Sequence, residues 1–148
     1  MPEDAMAPMT IAIDTREQLP FEFSSGVAVV RATLKTGDYS LVGMEDQVAF
    51  ERKSLDDLVS SVIHDRKRFG AELARLVPMK HRAVVVEADV GDVVNRRYRS
   101  EAHPNAVLAA ANSIFLHYGV PVFFWGDRPH ARLLLEDLLS RIWKGRKS

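Results

Sequence analysis

Asp38, Glu51 and Lys53 are the residues whose types and spacing point to chemistry. They lie in two short runs, 38–42 and 47–53, separated by Gly43, Met44, Glu45 and Asp46. The runs read as a β-hairpin closed by that four-residue turn. Val42 then faces Gln47, Tyr39 faces Phe50, and Asp38 faces Glu51. Opposed residues point to the same side of a sheet, and side chains alternate along each strand. One side carries Tyr39, Leu41, Val48 and Phe50, which is a core face. The other carries Asp38, Ser40, Ala49, Glu51 and Lys53, with small residues beside the charges leaving room for a ligand. A one-residue slip would bury the two acids and expose the apolar set, so the pattern supports this register.

Opposed side chains stand about 5 Å apart at Cβ, where like charges destabilise. At an effective dielectric near 20 the repulsion is about 3 kcal/mol, an upper figure because carboxylates can swing apart. A divalent cation would turn that repulsion into ligation, and hard oxygen donors suit Mg²⁺ or Mn²⁺. Lys53 on the same face adds a cation able to hold a water or neutralise developing negative charge. On the pattern alone, a metal-dependent phosphoryl site and a solvated strand end both stay open.

The rest of the chain supplies elements to position these residues. Residues 1–9 read as a loose tail, Ile11–Asp14 as a strand ending in charge, and Val27–Leu34 as a second strand. Ser54 suits an N-cap, followed by Leu55, Leu58, Val59, Val62 and Ile63 at helical spacing. A second helix is expected from Arg66 to Val77, with Phe69, Leu73, Leu76 and Val77 inward. Ala83–Val86 predicts a buried strand ending at Glu87, and 92–98 fits neither template. Pro104 suits the first turn of a helix with Val107, Ala110, Ala111, Ile114, Phe115 and Tyr118 inward and Gly119 as its stop. Val120–Trp125 predicts another buried strand, and Asp127 caps a last helix to about Lys144. Strands first, then strands alternating with helices, predict an α/β sandwich on a mixed sheet.

With these residues in view, the run GDYS…FERKSLDDLVSSVIHDRKRF resembles the nuclease domain of the XPF family of structure-specific DNA endonucleases. The family pattern is Gly-Asp, a spacer, then Glu-Arg-Lys-x-x-x-Asp, matched by Gly37, Asp38, Glu51, Arg52, Lys53 and Asp57. IAIDTRE is similar to the family's strand bearing Asp14, Arg16 and Glu17, and DRKRF to its Arg-Phe step at Arg68. The resemblance implies a restriction-endonuclease-like three-layer α/β/α core and cleavage of DNA phosphodiesters near single/double-strand junctions, in repair or recombination, with Mg²⁺ or Mn²⁺. Asp38 and Glu51 would be metal ligands and Asp14 a further ligand or an outer partner. Lys53 would hold the attacking water. Arg52 points away from Glu51 and is expected to anchor the site through a carboxylate such as Asp57. Asp57 is equally a helix-start residue, since Ser54-x-x-Asp57 is close to a capping box. Arg16, Arg66, Lys67 and Arg68 would contact phosphates, and Glu17 and Glu87 would stand behind the site. The family typically dimerises through this domain. The apolar circumference of the last helix (Ala131, Leu133, Leu134, Leu135, Leu138, Leu139, Ile142, Trp143) predicts a homodimer through the C-terminal helices.

Composition excludes other classes. There is no cysteine, which removes disulfides and thiolate metal sites, and the five histidines lack metal-ligand spacing. The N-terminus is acidic and weakly apolar, unlike a signal peptide, and no run is long enough to span a bilayer; a cytoplasmic or nucleoid-associated protein is expected. Net charge is zero, but three basic and eight acidic residues up to position 50 give way to eight basic and five acidic over 51–82. The basic stretch starts at the opening motif. Residues 10–148 read as one nuclease domain, with no length for a helix-hairpin-helix or helicase domain. The alternative is a catalytically silent nuclease fold serving as a DNA-binding or scaffolding subunit. Silent members lose the motif acids, which are all present here.

Overall fold

The structure, a computed structural model, describes residues 7–146. Its strands are β1 (Thr10–Asp14), β2 (Ala28–Ala32), β3 (Tyr39–Leu41), β4 (Val48–Ser54), β5 (His81–Glu87) and β6 (Val122–Phe124). Its helices are α1 (Leu55–Ile63), α2 (Arg66–Leu76), α3 (Val90–Val94), α4 (Pro104–Tyr118) and α5 (Arg128–Gly145). The six strands form one mixed sheet in the order β2-β1-β3-β4-β5-β6. β3 is antiparallel to both its neighbours, and β1–β2, β4–β5 and β5–β6 are parallel. None of the described helices is long and apolar enough to cross a membrane.

Side-chain alternation along the sheet builds two cores, one on each face. Ala49, Val84 and Val86 face α1, α2 and α4, meeting Leu58, Val62, Phe69, Leu73, Val107 and Ile114. Ile11, Ile13, Tyr39, Leu41, Val48, Phe50, Ala83 and Val85 face α5, meeting Ala131, Leu135, Leu139 and Ile142. This is the expected three-layer α/β/α arrangement.

The hairpin has the predicted register. Tyr39 pairs with Phe50, Asp38 N donates to Phe50 O at 2.8 Å, and the turn closes with Met44 N donating to Leu41 O at 2.9 Å. Gly37 carries φ +78°, and a Cβ there would lie 3.1 Å from Ala49 Cβ and 3.2 Å from Phe50 N. A side chain would be strained in conformation and crowded in space, which is the physical reason for glycine before Asp38.

Several expectations change. The face holding Ser40 and Ala49 is not an open floor: both are buried, Ala49 in the core under the helices, and the Ser40 hydroxyl donates to Val48 O at 2.6 Å. Only the C-terminal half of β4, from Glu51 on, is less than fully buried, so the charges lie at the strand ends rather than along a face. β2 is an edge strand with mostly exposed side chains, and β6 is half-buried at the other edge. Val77 lies beyond α2 and is exposed, because the helix ends at Leu76. Phe115 is 53% exposed, since it lies around the α4 circumference from the Val107–Ala111–Ile114 stripe. Within 92–98 the chain ends the short α3, capped by reciprocal bonds between Asp89 and Asp92. The expected tail falls outside the described residues for 1–6. Of the next three residues, Met9 packs on the α5-side core and Ala7 O accepts from the Trp143 indole.

Candidate active site

Asp38 and Glu51 come together where β3 begins and β4 nears its end. Strand β3 lies between β1 and β4, so Asp14 N reaches Asp38 O at 2.8 Å and Asp38 N reaches Phe50 O at 2.8 Å. The Asp38 carboxylate is oriented by the backbone: Arg52 N donates to its Oδ2 at 2.8 Å. Glu51 sits on the adjacent strand, close enough that the two carboxyls perturb one another. Burial pushes both pKa values up, and mutual charge adds to the effect on Glu51, which is pushed up to about 8. Such a pair resists carrying two negative charges near neutral pH.

Two residues along β4, Lys53 returns to the Glu51 side. Its side chain is 12% exposed, with Nζ 3.8 Å from Glu72 Oε2 and 4.9 Å from the centroid of the Phe69 ring. Glu72 was absent from the sequence expectations. The available signal was its position three residues after Phe69 on α2, beside the inward stripe.

Arg52 points to the opposite face, as expected, but not to Asp57. Its Nε and Nη2 donate to Glu17 at 2.6 and 2.8 Å, and its Nη1 donates to Glu87 at 3.0 Å. Glu87 also accepts from Arg128 Nη1 at 2.8 Å, and Arg128 further donates to Leu19 O and Pro20 O. This ion network ties the 15–20 loop, β4, β5 and the start of α5 together directly behind the acids. Burial pushes the Glu17 carboxyl up, but the Arg52 guanidinium outweighs it and holds the pKa below the ordinary value. Arg128 was also missed. As the first residue of α5 after the Asp127 cap, it carried no sign of where it would reach.

Asp14 faces inward and is committed. Arg16 N, Nε and Nη2 and Leu34 N all donate to its two oxygens, at 2.8 to 3.2 Å. Burial raises its pKa, but these bonds prevail and lower it. Of its two expected roles, an outer partner suits these contacts. Arg16 is thereby tied to Asp14, with its side chain 68% exposed. Asp57 is exposed; its N–H donates to Ser54 Oγ at 3.1 Å, an ordinary N-cap. Arg66, Lys67 and Arg68 are exposed on the first turn of α2.

The donor set can be weighed against a cation. Among the described residues no three His, Asp or Glu side chains close into a metal cage. Two paired carboxylates with raised pKa values still fit a hard divalent cation that keeps several waters, because ligation relieves their repulsion.

Residues 13–138 match the ERCC4 domain. The chain belongs to the ERCC4-domain family. This ERCC4 domain is 31% identical over 121 residues to the 3'-flap repair endonuclease Xpf of Saccharolobus solfataricus, covering 81% of this chain and 48% of that protein. It is 32% identical over 118 residues to a Methanocaldococcus jannaschii protein named as an ATP-dependent RNA helicase, covering 79% of this chain and 14% of that one. The chain therefore spans less than half the length of these two curated relatives. Among solved structures it is similar to XPF from Aeropyrum pernix, with TM-score 0.70 and 26% identity over 93% of this chain and 62% of that one. In its complex with DNA the same protein aligns with TM-score 0.72 and 27% identity, over 95% of this chain and 68% of that one. The ERCC4 domain thus has the fold of the XPF nuclease domain, with the GD and ERK residues on the β3–β4 hairpin.

Proposed function

We propose that this chain is a metal-dependent endonuclease that hydrolyses DNA phosphodiesters at branched or single/double-strand junctions, in repair or recombination. The observation that carries this reading is the pairing of Asp38 and Glu51 at the strand ends, with Lys53 on the same side of β4. The XPF relatives, one of them solved with DNA, support the substrate class.

Asp38 and Glu51 would hold Mg²⁺ or Mn²⁺, with Asp14 behind them ordering the β1 end. When bound, the cation supplies Lewis acidity at the scissile phosphate and a lowered pKa for an attacking water. The chain's own groups do the rest. The Arg52 N–H fixes one Asp38 oxygen, and the Arg52 side chain locks β4 to its neighbours from behind. The Lys53 ammonium donates to the attacking water or to a phosphoryl oxygen as a new P–O bond forms and the ester P–O bond breaks. Arg16, Arg66, Lys67 and Arg68 extend a basic rim for phosphates. Exposed Phe115 and Leu116 on α4 and Leu133 and Leu134 on α5 support a homodimer through the C-terminal helices.

The test is incubation with labelled fork, flap and plain duplex DNA, in Mn²⁺ and in chelator. Metal-dependent cutting of the branched substrates is expected. Binding without cutting would favour a silent nuclease-fold subunit, and neither would overturn the reading.

A further inference from the structure

Lys53 is held from outside its own strand. Phe69 and Glu72 stand three residues apart on α2, so they share one face of that helix. The Phe69 ring centroid lies 4.9 Å from Nζ, within cation–π range, and Glu72 Oε2 lies at 3.8 Å. A lysine has four rotatable side-chain bonds, so an unheld ammonium would sweep widely. Here it is nearly covered, at 12% exposure. The 3.8 Å separation is longer than a hydrogen bond. Glu72 therefore holds Lys53 by charge while leaving its N–H donors for water or phosphate.

We infer that Glu72 is a positioning residue for hydrolysis, setting the Lys53 ammonium against the Phe69 ring and beside Glu51. The inference rests on the reading of this site as a hydrolytic centre. The plain alternative is a surface ion pair, of little consequence for stability and irrelevant to rate. The aromatic contact and the near-burial of Lys53 distinguish the two, because an ordinary surface pair leaves its lysine solvated and mobile.

The experiment measures single-turnover cleavage of a labelled fork in Mn²⁺, and DNA affinity separately in chelator, for wild type, Lys53→Ala and Glu72→Leu. Glu72→Leu is expected to slow cleavage about 10- to 100-fold while changing DNA affinity by less than about twofold. Its melting temperature should stay within a few degrees of wild type, since Glu72 itself keeps 28% of its side chain in solvent. Should Glu72→Leu fail to fold, Glu72→Gln carries the same comparison, with cleavage expected to slow about tenfold. A folded Glu72 variant that cleaves within about twofold of wild type overturns the inference, as does a loss that appears equally in affinity. A wild type that does not cleave, or a Lys53→Ala as active as wild type, instead overturns the reading of the site and the inference with it.

Discussion

Asp38 and Glu51 stand together on adjacent strands, and burial raises the pKa of both. The Asp38–Glu51 pair makes the metal-free protein sensitive to pH in a definite direction. Glu51 binds its proton more tightly folded, with its pKa up from 4.5 to about 8, so the folded state is favoured while Glu51 is protonated. That stability is fully present below the unfolded value and is lost as pH rises through about 8. Asp14 and Glu17 act oppositely: their lowered pKa values contribute stability above their unfolded values, lost as pH falls through the folded ones. Glu51→Gln should therefore stabilise the metal-free protein at pH 8 but not at pH 5, by about 1–2 kcal/mol, which raises its melting temperature at pH 8 by roughly 2–8 °C for a chain this size. Equal effects at both pH values would contradict this. Arg52 is the opposite kind of residue, charged and needed. Arg52→Ala leaves Glu17 buried without its cation and should cost about 3 kcal/mol in denaturant unfolding. A variant with unchanged stability would show that the network contributes nothing. At this scale Asp38, Glu51 and Lys53 were legible because strand alternation is local. The partners of Arg52 were not, because Glu17 and Glu87 arrive from the 15–20 loop and β5, 35 residues away on either side.

At the scale of elements, the hairpin and α2 set the site. Gly37 lets the chain enter β3 with positive φ against the Phe50 backbone. Gly37→Ala should destabilise by about 1–2 kcal/mol, and because it displaces Asp38 it should also reduce cleavage. Retained activity would show that the approach to β3 is not needed. The hairpin register followed from turn length and alternation, the starts of α1 and α5 from the Ser54 and Asp127 caps, and α2 from its apolar stripe, which ends one residue before the expected Val77. What the pattern misjudged was cover. Ser40 and Ala49 look like the floor of a groove because they are small, yet small residues on a central strand also let a helix pack closely. Only the helices themselves distinguish these cases. Phe115 shows the converse: a periodic apolar residue one step off the stripe, left exposed. The short α3 depends on reciprocal Asp89–Asp92 capping rather than on periodicity, so no apolar pattern announced it.

At the scale of the whole molecule, the α/β class was readable from element order, but the strand order was not. Placing β3 between β1 and β4 requires pairings distant in sequence, and that placement brings Asp14, Asp38 and Glu51 to one end of the sheet. The exposed leucines of α5 belong to this scale too. Light scattering at tens of micromolar should give twice the monomer mass, and Leu133→Glu with Leu134→Glu should return it to one. A wild-type monomer would contradict the homodimer. The central claim is that the paired acids at the sheet end are a working hydrolytic centre. Its most direct test is single-turnover cleavage of a labelled fork in Mn²⁺ by wild type and by Asp38→Asn. Wild type should cut only with metal, and Asp38→Asn should be slower by at least about a hundredfold. Equal rates for the two proteins, or cutting by wild type in chelator, would contradict the account.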